Sequence, residues 1–149
     1  MFMDDCLGCR LAHKSEPVFI IYENNLISCV LDHDPFGEGH VLILPKKHAE
    51  ELTDLDEESA VAVFRAAQHL STVIKRLYKP DGITLCQNGG IFNDLNHFHL
   101  HVIPRRQRQP FAAFFAEDAV LGNQETKRRL PLTQRELASA LMLIQKESE

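Results

Sequence analysis

The sequence predicts an α+β domain, an antiparallel sheet with helices packed on it. Two observations carry this. Three short β-branched runs, Val18–Tyr22, Leu26–Leu31 and Val41–Leu44, are joined by hairpin-length connections. A long stretch of helical periodicity then separates them from two more strand-like runs, Ile83–Gln87 and Phe98–Ile103.

Each element follows from local chemistry. Glu23-Asn24-Asn25 suits a hairpin turn, and the loop from Asp32 to Gly39 is rich in turn formers. Thr53 or Asp54 can cap the long helix, with Asp56, Glu57 and Glu58 near the positive end of its dipole. Ala60, Phe64, Ala67, Leu70, Ile74 and Leu77 mark its apolar stripe, and Lys79-Pro80-Asp81-Gly82 stops it. Thr133-Gln134-Arg135-Glu136 reads as a capping box for a terminal helix, with Leu132 stapled to Leu137. Leu137, Leu141 and Ile144 give that helix its buried side. In the stretch 105–131, Phe111, Phe114 and Phe115 suit either the core or a subunit interface.

The chain has 149 residues, the size of one domain spanning 1–149. Its formal net charge is −5, which argues against a nucleic-acid binder. The start carries acidic residues where a signal peptide needs basic ones, and no apolar run is long enough for a membrane span. A cytoplasmic protein without a membrane partner is expected. Cys6 and Cys9 form C-x-x-C, whereas Cys29 and Cys86 sit in apolar strand-like runs as small core residues. The outlying number is eight histidines beside no tryptophan.

Three of the eight alternate with apolar residues in His97-Phe98-His99-Leu100-His101-Val102-Ile103. On a strand His97, His99 and His101 share one face, about 6–7 Å apart in succession. Such a row could be a solvated polar face, a metal-binding face, or a site of nucleophilic catalysis, since neutral imidazole attacks phosphorus to give a labile phosphoramidate.

HFHLHVI resembles the signature of the histidine triad (HIT) family of nucleotide hydrolases and transferases. LDHDPFGEGHVLILPKKH resembles that family's ribose-binding loop and following strand, and CLGC resembles the N-terminal element of its zinc-containing bacterial members. The resemblance covers residues 4–106 or so, leaving 107–149 as a C-terminal extension with a helix. It implies an antiparallel five-stranded sheet with flanking helices, a homodimer, and a purine nucleotide substrate.

By this resemblance His99 is the nucleophile toward the α-phosphorus, His101 sits by the phosphate and leaving group, and His40 joins the same pocket from a neighbouring strand. Asp32 matches the carboxylate that accepts from the ribose hydroxyls, His33 follows it, and Leu7, Leu11 and Val30 fall where the family lines its base pocket. Asn88 matches a phosphate-holding asparagine. The chain then departs from the common pattern: Asn93 stands where glutamine is usual and Asp94 where a hydroxyl is usual. An aspartate there repels a phosphate unless it points away or binds backbone. Glycines 89 and 90 permit close backbone approach to phosphate.

Cys6, Cys9, His48 and His97 match the family's zinc ligands, a Cys₂His₂ set with no open position and therefore a structural one. The covalent step itself needs no divalent cation. Arg105, Arg106 and Arg108 suit either distal phosphates or a solvated basic turn, and His13 and His69 read as surface residues. Three functions follow: a nucleotidyl hydrolase or transferase acting on a nucleoside phosphoramidate or dinucleoside polyphosphate, a nucleotide-binding regulatory module with negligible turnover, and a zinc hydrolase using His97 and His99.

Overall fold

The structure is a computed structural model that describes residues 5–115 and 124–148. Its centre is one five-stranded antiparallel sheet in the order β1-β2-β3-β5-β4. The strands are β1 (Ile20–Glu23), β2 (Ile27–Leu31), β3 (Val41–Pro45), β4 (Gly82–Cys86) and β5 (Leu100–Arg105). The helices are α1 (Leu7–Ala12), α2 (Glu57–Tyr78), α3 (Gln124–Arg128) and α4 (Leu130–Ser148). Asn24 makes the first hairpin, its side-chain oxygen accepting from the N–H groups of Leu26 and Ile27.

The two faces of the sheet are used differently. Ile27, Cys29, Leu31, Val41, Ile43, Leu100 and Val102 point into a core closed by Val63, Leu70 and Ile74 of α2 and by Leu137, Leu141 and Ile144 of α4. Val30 and Leu44 face the other way, where Ala12 of α1 joins them in a smaller cluster edged by Leu11 and Leu42. Ser28 on this face donates to the Ala12 carbonyl and ties α1 down.

Several expectations need correction. α2 is capped by Asp56, which accepts from the Ser59 N–H at 2.8 Å, not by Thr53 or Asp54. Residues Leu52–Asp54 close their own 3-10 turn, with Glu51 and Asp54 capping each other's backbone. Ala67, Leu70 and Ile74 of α2 are buried as expected, but the stripe is shifted at its edges: Val63, Ala66 and Val73 are inside, while Phe64 and Leu77 are 51% and 40% exposed. Thr133 does not start α4. The helix begins three residues earlier with Pro131 in its first turn, where a missing N–H costs nothing. Thr133 and Glu136 instead build a polar seam with Arg129, Glu38 and Tyr78.

The histidine run also differs. Regular pairing starts at Leu100, so only His101 lies in the ladder proper. Asn96, at φ 53°, turns the chain into the run, and the Phe98 N–H bonds the Ala49 carbonyl at 2.7 Å. Alternation survives regardless, with Phe98 buried in the core and the three histidines on the opposite face.

Candidate active site and metal centre

Hydrogen bonds assign a proton to one nitrogen of each key imidazole. A carbonyl only accepts, so His99 Nδ1, 2.8 Å from the His97 carbonyl, must donate. Neutral His99 therefore carries its lone pair on Nε2. His97 does the reverse: its Nε2 donates to the Pro45 carbonyl at 2.9 Å, leaving the lone pair on Nδ1. That lone pair faces the sulfurs of Cys6 and Cys9, both at 3.5 Å.

His40 and His101 form a relay. The Phe36 N–H donates to His40 Nδ1 at 2.9 Å, so His40 holds its proton on Nε2 and gives it to His101 Nδ1, also at 2.9 Å. His101 is left with Nε2–H as a donor. Burial keeps both neutral: it pulls His40 well below the ordinary histidine range and, with His99 nearby, lowers His101 to about 3. Phe114 sets its ring edge-on to His101 with centroids 5.2 Å apart, and Phe36, Phe111 and Phe114 make one aromatic cluster. Of the three phenylalanines that suited core or interface, Phe114 thus walls this pair with Phe111 stacked on it, and the Phe115 side chain lies outside the described residues.

Asp32 leaves β2 beside this pair. One oxygen accepts from the Asp34 N–H at 2.9 Å, and the other lies 3.6 Å from His40 Nε2. Its carboxyl is raised above the usual range because burial outweighs these contacts. Asp32, His40 and His101 bring their ligand atoms within 4.8 Å of one another, but the 2.9 Å contact between the histidines is a hydrogen bond. The β4–β5 register ends with Cys86 opposite His101, and Asn88 follows two residues beyond the end of β4. Leu11 edges the apolar cluster on this face, Leu7 is 44% exposed on α1, and the His33 side chain is 94% exposed.

Two predicted groups have other work. Asn93 donates to the Glu50 carbonyl at 2.7 Å and accepts from the Leu95 N–H at 3.0 Å. A phosphate contact is left only its second amide hydrogen. Arg106 donates to the carbonyls of Tyr78 and Lys79 at the end of α2, while Arg105 reaches Thr84 and lies over the Phe111 ring.

The metal donors converge from three segments. Cys6 caps α1 by accepting from the Cys9 N–H, and His48 Nδ1 stands 3.4 Å from Cys9 Sγ. Ligands at about 2.3 Å (sulfur) and 2.05 Å (nitrogen) around a tetrahedral ion lie about 3.5 Å apart, close to the sulfur–nitrogen separations here. The Cys9 thiol is pushed up to about 11 by burial and by Cys6, so a cation is what would hold it as thiolate. The residues fit zinc. Sequence reasoning missed Gly8 between the cysteines: a Cβ there would fall 2.2 Å from that of His97. His99 belongs to neither candidate metal cluster among the described residues, which leaves the His97–His99 zinc hydrolase without support.

The fold and this arrangement define a histidine triad site. The model of the HIT domain matches residues 13–108, and the chain belongs to the HIT family. An uncharacterized HIT-like protein of Borreliella burgdorferi is 32% identical over 113 residues, covering 73% of this chain and 81% of that protein. The adenylylsulfatase HINT3 of Arabidopsis thaliana is 30% identical over 107 residues, covering 70% of this chain and 54% of its own. A zinc-bound histidine triad family protein from Mycobacterium smegmatis superposes with TM-score 0.80 at 26% identity, covering 98% of this chain and 99% of that one.

Proposed function

We propose that the protein cleaves a purine nucleotide at its α-phosphorus through a nucleotidyl-histidine. The observation that carries this is the 2.8 Å bond from His99 Nδ1 to the His97 carbonyl, which leaves Nε2 as a fixed nucleophile. The ribose hydroxyls donate to Asp32, and the base lies along Leu7, Leu11 and Val30, with His33 at the rim. Asn88 and the His101 Nε2–H donate to the phosphoryl oxygens, with Asn93 adding its remaining amide hydrogen. A bond forms from His99 Nε2 to phosphorus as the bond to the leaving group breaks. Water then attacks phosphorus, the N–P bond breaks, and the mononucleotide and free His99 are regenerated. The preset tautomers need no reorganisation as charge develops on the phosphoryl oxygens.

Zinc on Cys6, Cys9, His48 and His97 would supply a cross-link between α1 and the sheet, with no coordination position left for catalysis. The same proposal has the chain acting as a homodimer in the cytoplasm. Leu85 on the open edge of β4 and Val61 and Phe64 on α2, all exposed and apolar, support an association.

The test is quenched turnover with adenosine 5′-phosphoramidate and diadenosine polyphosphates, followed by mass spectrometry. The expected result is a nucleotidyl group on the His99 peptide. In His99→Ala, turnover should fall by about 10³-fold or more while mononucleotide affinity stays within a few-fold. Turnover retained in that variant overturns the mechanism. Binding without turnover in the unaltered chain makes it a nucleotide-binding module instead.

A further inference from the structure

We propose that Asp94 selects the leaving group by its charge, favouring nucleoside monophosphates whose phosphorus carries a cationic or neutral group over those that release a polyphosphate. This rests on the reading of His99 as nucleophile.

Three observations carry it. Asp94 Oδ1 lies 3.7 Å from His99 Nε2, the nitrogen that holds the lone pair. That is too long for a hydrogen bond, so the carboxylate stands beside the reacting atom without being consumed by it. The Asp94 side chain is 93% exposed while that of His99 is 5% exposed. The carboxylate is therefore on the solvent side of the nucleophile, where the outer half of a substrate must pass. Its backbone is not free to carry it away: Asn93 clamps the bend between the Glu50 carbonyl and the Leu95 N–H.

The second observation concerns neutralisation. Among the described residues no lysine or arginine forms an ion pair with Asp94, whose near neighbour is the His99 imidazole. The third is that two arginines able to hold distal phosphates are engaged elsewhere, Arg106 on the carboxyl end of α2 and Arg105 between Thr84 and Phe111. Asp94 thus presents a carboxylate without a lysine or arginine partner among the described residues to whatever phosphorus carries outward.

For an exposed carboxylate at about 6–7 Å, screened by water, each unit of leaving-group charge is worth about threefold in rate. A monocationic amine and a nucleoside diphosphate leaving group differ by about three to four units, so discrimination of about 30-fold is expected.

The experiment measures kcat/KM in the full-length protein and in Asp94→Asn and Asp94→Ser. The substrates are three adenosine 5′-monophosphate derivatives: an amidate with a cationic amine, an amidate with a neutral amine, and diadenosine triphosphate. The expected result is a ratio of cationic amidate to triphosphate that falls by about 30-fold in both variants, with the neutral amidate moving least. In 0.5 M salt most of the difference should vanish. A ratio that moves less than about twofold overturns the proposal, as does a parallel fall on all three substrates, which would mark a merely positional role. Should the unaltered chain turn over none of them, the catalytic reading fails, and calorimetry with AMP and ATP still decides this one. Asp94→Asn should raise the relative affinity for ATP about tenfold, and an unchanged ratio overturns it.

Discussion

The two ends of the His97–His101 run use one side chain for opposite purposes. At the His97 end the imidazole turns its lone pair on two sulfurs and holds its proton against the Pro45 carbonyl. At the His101 end the lone pair is satisfied by His40, and the proton faces the site. His99 between them holds a bare nitrogen beside a carboxylate. The residue type is constant. What differs is which backbone or side-chain group lies within about 3 Å of which ring nitrogen, and that assignment suits one histidine to bind a metal, one to attack phosphorus and one to donate.

The comparison breaks most forcefully at the metal corner. Cys9→Ala should abolish zinc retention, measured as about one ion per chain in the unaltered protein. It should also cost about 4 kcal/mol, a fall of about 8–16 °C in Tm for a chain of this size. Turnover per folded molecule should stay within about tenfold. A proportionate loss of chemistry at full foldedness would mean that the two ends are not separate.

Breaking the relay should have the complementary signature. His40→Phe removes the donor to His101 Nδ1, freeing that ring to adopt either tautomer. The expected outcome is a fall in kcat of about 100-fold, equivalent to about 2.7 kcal/mol, with zinc content unchanged. His40→Gln, whose amide can donate in place of Nε2–H, should recover part of it.

The smallest effect sharpens the relay's electrostatics. His101 binds its proton near 6.5 when unfolded but is held at about 3 when folded. Below pH 6.5 the unfolded chain takes up a proton that the native state refuses. Stability is therefore flat above that pH and falls as pH drops from about 6.5 toward about 3, by about 1.4 kcal/mol per pH unit for this group. Asp32, with its raised carboxyl, works in the opposite sense at lower pH. Chemical denaturation at pH 6 and pH 5 should show a slope reduced by about 1.4 kcal/mol per unit in His101→Gln. An identical slope would mean that His101 is protonated in the native state.

Much of the architecture is legible locally. The five strands appear within one or two residues of their positions, save that the regular ladder of the last starts at Leu100. Phe98, Leu100 and Val102 turn inward opposite the histidines, as a period of two requires. The failures are competitions between equivalent local signals. Thr53, Asp54 and Asp56 are all good caps, and the choice fell to Asp56 because Glu51 and Asp54 satisfy one another in a turn of their own. Ala60 and Phe64 stand at helical spacing just as Val63 and Ala66 do, and only the sheet beneath decides which side of α2 is buried.

The site divides along the same line. The resemblance to the histidine triad family implied Cys6, Cys9, His48 and His97 as one set and His40, His99 and His101 as another, and the structure brings each set together. Gly8 was invisible because its reason is a contact with His97, 89 residues away in sequence (97 − 8). Asn93 stands at a phosphate-holding position of the family, and only the fold shows that the Glu50 carbonyl takes one of its amide hydrogens. Sequence by itself determined the alternation, the element order and the chemical inventory, because those depend on neighbours a few bonds away. Tertiary structure alone decided the tautomers, the burial and the charge facing His99. Each of these is set by the nearest group in space, and folding supplies that group from a distant part of the chain.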